Sequence, residues 1–255
     1  MYKLTLGGIM SGISKMHYAK LAGRSFLFFA ALFMYITNPA QLELPLMGHI
    51  AKMPVLMSLI WIVFVIEMAL RFFPSRFESM GCQKQFRRNF IPTKIEKIKL
   101  DSKKSTAAVV FAWIILNGII GALYFADIID KGILLLISLF YSVCDMICIL
   151  FFCPFQTWFM KNKCCTTCRI YNWDFAMMFT PFIFIPDYYT WSLLFMALAL
   201  LVVWEIYVHK YPERFSEKTN GAIHCANCRE KLCHHKKQLR HFHKVNKGIM
   251  TVYKE

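Results

Sequence analysis

Hydrophobic residues along this chain are gathered into long runs rather than spaced at the interval of a half-exposed helix. No residue from 105 to 126 is charged, 132–160 holds only Asp145, and 188–204 is again uncharged. A helix needs about 20 apolar residues to cross a hydrocarbon core of ~30 Å. The runs therefore predict transmembrane helices over 105–127, 133–153 and 189–208, with two more over 18–37 and 53–73. A sixth, over 170–186, is shorter and holds Pro181. It reads either as a span beginning near Ile170 or as a re-entrant element. The expected fold is an all-α membrane protein of about six transmembrane helices: a polytopic domain over 1–208 and a basic Cys/His-rich tail over 209–255.

Local signals refine the boundaries. Leu6, Ile9, Met10 and Ile13 recur at helical spacing, so residues 1–24 read as a short interfacial segment. A signal peptide is the rival reading, but Asn38-Pro39-Ala40 makes a poor cleavage site. Glu67 and Arg71 are four apart and are expected to pair on one helix face. The basic stretch 74–104 reads as partly helical and surface-lying. The short turn 127–132 makes helices three and four an antiparallel hairpin, and Pro154 is expected to end or kink the fourth after Cys153. Asn117, Gly118 and Gly121 offer small residues for close packing in helix three.

Composition agrees with a membrane setting. The chain is 57% hydrophobic, with 24 Phe and 15 Met, against about 45–50% apolar in soluble domains. The net charge of +15 would suggest nucleic acid if the charge were spread evenly. Instead, all but Lys52 and Lys131 of the 30 Lys and Arg lie at the N-terminus, in 71–104, in 159–172 or after 209. The intervening connections carry Glu43, Asp127, Asp130 and Asp187. This alternation is the positive-inside pattern. It puts both termini and the loops 74–104 and 154–169 in the cytoplasm of a cell-membrane protein, and argues against a nucleic-acid partner.

The 10 cysteines carry the candidate chemistry. All fall in segments placed inside or in helix four, where thiols stay reduced and metal or redox roles gain weight. In the tail, Cys225 and Cys228 form a CxxC on one turn, and Cys233 with His234 completes a candidate tetrahedral metal site. The same thiolates suit an iron–sulfur cluster. A second group, Cys153 with Cys164, Cys165 and Cys168, offers thiol ligands directly after helix four. Cys82, alone in a basic loop, is a candidate fourth ligand to either group. Within helix four, Cys144 and Cys148 share a face beside Asp145. That acid is expected near mid-bilayer, where an ionisable group is a functional hypothesis by default. Its roles there would be a proton or cation site, or a hydrogen bond to Tyr141 or Asn117. Cys144 and Cys148 otherwise read as small packing residues, and together with Cys153 as a candidate relay.

No GxGxxG, P-loop, HExxH, GxSxG or CxxCH motif occurs. The leading expectation is a membrane protein with cytoplasmic metal sites, iron–sulfur or zinc, acting in redox or electron transfer. Its partners would be the lipid bilayer and a cytoplasmic redox protein or a second copy of the chain. The alternatives are a zinc-stabilised scaffold or regulator, and a transporter using Asp145.

Overall fold

The structure, a computed structural model, describes residues 11–38 and 55–230 apart from 77, 96, 97, 99, 101 and 163. Its described part is all-helical: α1 Gly12–Thr37, α2 Val55–Arg71, α3 Met80–Gln83, α4 Lys103–Phe125, α5 Lys131–Leu150, α6 Asp174–Met178 and α7 Tyr188–Lys210. Four of these, α1, α4, α5 and α7, are long and apolar enough to cross a membrane.

Each long helix has one buried stripe. On α1 it runs Ser14, His17, Arg24, Leu27, Ala31, polar at the first turns and apolar later. Phe26, Phe29, Phe33 and Ile36 lie outside it, all more than 60% exposed. Phe111 and Ile114 on α4, and Phe195, Val202 and Ile206 on α7, are likewise exposed. Large apolar side chains on the outside and polar ones inside are what a lipid solvent selects, because lipid does not drive apolar groups inward. α1 begins earlier than the predicted residue 18, because Ser11 caps it by accepting a hydrogen bond from the Ser14 N–H at 3.2 Å. Ser, at the N-cap, satisfies a donor that the helix leaves unpaired.

The predicted span over 170–186 is not one helix. A 3₁₀ turn at Tyr171–Trp173, the five-residue α6 and a second 3₁₀ turn at Thr180–Phe184 follow one another. Pro181 lacks the N–H that would continue the ladder and disfavours α geometry at Thr180. Its side chains nevertheless enter the core: Phe175, Met178, Phe179 and Phe182 are all buried. A broken helix at this depth is tolerated only inside protein, and it is held there by side chains. Trp113 Nε1 of α4 donates to Thr180 Oγ1 at 3.0 Å, and Arg71 Nη2 of α2 donates to Asp174 Oδ2 at 2.7 Å. A Cβ at Gly121 would collide with the Phe184 ring, so this small residue admits the broken segment. Gly118 has nothing within 4 Å.

At one end the loops form a folded cap, which corrects the surface-lying reading of 74–104 for residues 78–85, while Ile91, Ile95 and Ile98 stay exposed. Met80, Cys82, Gln83, Lys84 and Gln85 are buried. Lys84 Nζ donates to the carbonyls of Thr166 and Cys168 at 2.9 and 2.8 Å, joining the loop 154–169. Arg214 Nη1 reaches the Gln85 carbonyl at 2.9 Å, and the Gly221 N–H donates to the Ile91 carbonyl at 2.7 Å. The first part of the predicted tail therefore belongs to this cap, while 231–255 lies outside the described residues. The start of α1 and the ends of α2, α5 and α7 meet the same cap, so the three basic segments share one end of the bundle. At the other end Tyr35 donates to Asp130 at 2.8 Å.

Glu230 locks the cap to α1 and α3. Its carboxylate accepts from Ser79 Oγ at 2.5 Å and the Met80 N–H at 2.8 Å, and its carbonyl accepts from Ser14 Oγ at 2.7 Å. Burial raises its carboxyl above the usual range, outweighing those hydrogen bonds, which act the other way. A raised folded pKa means full docking below the ordinary glutamate value and a loss as pH rises through the raised one. Amide exchange at Met80 and Gly81, corrected for intrinsic rates, should lose protection as pH rises above that range. Glu230→Gln should flatten the profile, and protection that grows with pH would contradict it.

Candidate functional site

Charged residues on five segments meet beneath the cap. Arg24, on the buried stripe of α1, donates through Nη2 to Glu67 of α2 at 2.6 Å and through Nη1 to Asp145 of α5 at 2.9 Å. Arg71 of α2 donates to Asp174 of α6 at 2.7 Å and to the Asn172 side chain. The expected Glu67–Arg71 pair is not made. Each takes a partner on another helix, because both project into the bundle, where a charge must be matched. Lys20 joins the two halves, 3.8 Å from Glu67 and 3.0 Å from Glu78, and Glu78 lies 4.0 Å from Arg71. The result is one chain of alternating sign: Asp145, Arg24, Glu67, Lys20, Glu78, Arg71, Asp174. The Phe175 ring lies between the two guanidinium groups, 5.8 Å from Arg24 and 4.9 Å from Arg71.

Both ends of that chain, Asp145 and Asp174, line a cavity of about 140 Å³. The same cavity is lined by Cys144, Cys148, Cys153, Cys165 and Cys168. Thiols from α5, from the residues just after it and from the 154–169 loop thus reach one space. α5 stops at Leu150, earlier than predicted, and Pro154 opens a π-helical turn over Phe155–Phe159. This turn carries Cys153 back, so that its thiol meets that of Cys148 in a hydrogen bond. Gln156 organises the group. Its N–H donates to Cys153 Sγ at 3.3 Å, its Oε1 accepts from Cys165 Sγ at 2.8 Å, and its Nε2 donates to the Asn162 carbonyl at 3.0 Å.

Asp145, expected near mid-bilayer, sits towards the cap-side end of α5. It is five residues before the end of α5, or roughly 7.5 Å of helix rise, which is why it reaches α1's arginine. It does not bond Asn117, whose Nδ2 donates to the Trp113 carbonyl at 3.0 Å. Tyr141 packs its ring against Trp113 at 4.9 Å.

The other predicted ligands are placed apart from the cavity. Cys82 is 1% exposed among Met146, Leu150 and Trp204. Its thiol donates to the Ser79 carbonyl at 3.1 Å, and burial pushes its pKa up to about 12. A thiol held neutral in this way is a packing residue. Cys164 contacts Thr166 Oγ1 at 3.4 Å. Cys225 is exposed and Cys228 half-buried on a 3₁₀ turn over Cys225–Asn227, while Cys233 and His234 lie outside the described residues. Among the described residues no three His, Cys, Asp or Glu side chains gather as a metal-binding group.

Arg24, Asp174 and Gln156 were not singled out by the sequence. Arg24 stands among basic residues that read as topological, although its position inside the first predicted helix was a usable signal. Asp174 read as a boundary. Gln156 is one polar residue in an aromatic run, and only the fold reveals its use.

The fold and site define an all-helical protein with four helices suited to crossing a membrane and a thiol-lined cavity ended by two carboxylates. Comparison with protein-family models, with curated proteins and with solved structures found no match.

Removing Arg24 leaves Glu67 and Asp145 buried without their closest cation. Arg24→Met should therefore cost about 3–5 kcal/mol, read as a lowered unfolding temperature in detergent. A change below about 1 kcal/mol, the scale of a solvent-exposed pair, would show that the pairs are not buried in solution.

Proposed function

We propose that this chain is a multi-pass membrane protein of the cell membrane whose cavity thiols carry out redox chemistry, with Cys148 and Cys153 as the reactive pair. The observation that carries the reading is their contact, thiol to thiol, in a space lined by three further cysteines. Joining them as a disulfide means an S–S bond of ~2.05 Å. Forming that bond releases two electrons and two protons, which pass to a disulfide-bearing protein partner that becomes a dithiol. Gln156 holds Cys153 and Cys165 in place, and Cys165 stands ready as a third thiol for exchange.

The orientation follows from charge. The cap joins segments 78–93, 160–172 and 211–230, which hold nine Lys and Arg against four Glu, and the positive-inside pattern puts that end in the cytoplasm with both termini. Six crossings satisfy this arrangement when α2 spans and the broken segment counts as one passage. The cavity then opens near the cytoplasmic interface, where a soluble dithiol protein can reach it.

A second reading applies to the tail. Cys225 and Cys228 share a tight turn, the Cys228 N–H donating to the Cys225 carbonyl at 3.3 Å, and Cys225 is exposed. With Cys233 and His234 they suit zinc or an iron–sulfur cluster. That metal would be structural or electron-carrying and separate from the cavity pair.

Mild oxidation of protein purified without oxygen, followed by alkylation and peptide mapping, should give a Cys148–Cys153 disulfide. Cys148→Ser should abolish it without changing bound metal. Iron and acid-labile sulfide that disappear in Cys148→Ser would instead assign the cavity to a cluster.

A further inference from the structure

The ion chain beneath the cap does not balance. Its cations are Lys20, Arg24 and Arg71, and its carboxylates are Glu67, Glu78, Asp145 and Asp174. With every group ionised, one negative charge is left over in a buried site. The side chains of Arg24, Arg71 and Asp174 are no more than 5% exposed, so bulk solvent does not screen the excess. An uncompensated buried charge costs several kcal/mol, and a site of this kind neutralises itself by taking up a proton.

The excess falls at a definite place. Glu67 and Glu78 are interior members of the chain and each has two cations within 4.0 Å. Asp145 and Asp174 are its two ends, and each has one. Both ends face the same 140 Å³ cavity and oppose each other electrostatically. Of the two, Asp174 engages both Nη atoms of Arg71, at 2.7 and 3.4 Å, while Asp145 meets Arg24 through Oδ2 alone. Two carboxylates that face one small cavity disfavour each other's ionised form. Mid-chain, His17 is 3% exposed with neither ring nitrogen hydrogen-bonded, its charged neighbours including Lys20 and Glu78. A buried ring without hydrogen bonds, beside an ammonium, stays neutral and does not supply the missing charge.

We propose that one proton on Asp145, which opposes Asp174 across the cavity, neutralises the excess charge of the chain, and that Asp145 is the acid–base group of the thiol cavity. The second half of that statement rests on the redox reading of Cys148 and Cys153. Cys148 is one helical turn from Asp145 on the same helix, and both line the cavity. When a thiolate of an incoming dithiol attacks Cys153 Sγ of the disulfide, the S–S bond breaks and its electron pair leaves on Cys148. That sulfur takes the Asp145 proton. The partner's second thiol then displaces Cys153, which also leaves as a thiolate and is protonated. The partner departs as its own disulfide, and its two thiol protons replace the two consumed. Arg24 and Arg71 keep the two carboxylates in place while the proton leaves and returns.

The test uses the full-length protein in detergent or vesicles. In the Glu230→Gln background, which removes the other carboxyl that burial raises, infrared difference spectra over a pH titration should show a protonated carboxyl band at neutral pH. Asp145→Asn should remove that band and leave the protein folded, because it balances the ion chain. Asp145→Glu should retain the band at a shifted position. Reduction of the Cys148–Cys153 disulfide by dithiothreitol should slow by about 10²-fold in Asp145→Asn, the usual scale for loss of a general acid. If Asp145→Asn fails to fold, Asp174→Asn balances the same charge and should also lose the band. A band that persists in both variants overturns the proposal. So does a Glu230→Gln parent that has no band and is stabilised by added sodium or potassium, since a bound cation would then neutralise the chain. A band that behaves as expected in a protein that forms no disulfide would uphold the proton on Asp145 and overturn only the redox reading.

Discussion

A buried charge in a membrane-suited bundle must be answered by another, and that requirement shapes this protein more than any apolar contact. Arg24 enters the core from α1, and Glu67 and Asp145 must come to it from α2 and α5. Arg71 draws in Asp174 and with it the broken segment that no regular helix could supply. Lys20 and Glu78 tie the two halves together and reach the loop after α2. Lipid offers no apolar driving force between helices, so pairs of this kind decide which helices are neighbours. The apolar stripes of α2, α5 and α7 then fill the remaining space.

The same constraint builds the cavity. Ion pairing fixes the cap-side end of α5, and the early end of that helix at Leu150 lets Pro154 turn the chain back. Cys153 returns to Cys148, and Lys84 holds the carbonyls of Thr166 and Cys168 so that the loop thiols close the space. Charge, helix termination and thiol grouping are consequences of one another here.

The long helices were legible because an uncharged run of 20 residues has few other physical explanations. Their buried faces were not, since in lipid the outside is as apolar as the core. Phe26 and Phe33 look like core residues and face outward, while Arg24 looks like a surface residue and is buried. The expected Glu67–Arg71 pair shows the limit of local spacing, as each side chain found a stronger partner on another helix. Of the group Cys153, Cys164, Cys165 and Cys168, all but Cys164 line the cavity, because nearness in sequence keeps them near in space. Cys144, Cys148 and Asp145 join them through a helix ending three residues early, which no local signal marked. Cys82 was misleading for the opposite reason: a basic loop that looked solvated folds inward and buries its thiol.

The most direct test is to neutralise the centre of the ion chain rather than to break it. In Arg24→Met/Glu67→Gln/Asp145→Asn the remaining charges, Lys20, Arg71, Glu78 and Asp174, balance. If matched burial holds the bundle together, thermal unfolding of this triple variant should recover most of the stability lost in Arg24→Met alone, since replacing a whole buried ion group is close to neutral. A triple variant less stable than the single one would mean that these carboxylates support the fold without Arg24, and would contradict the central role given to the chain.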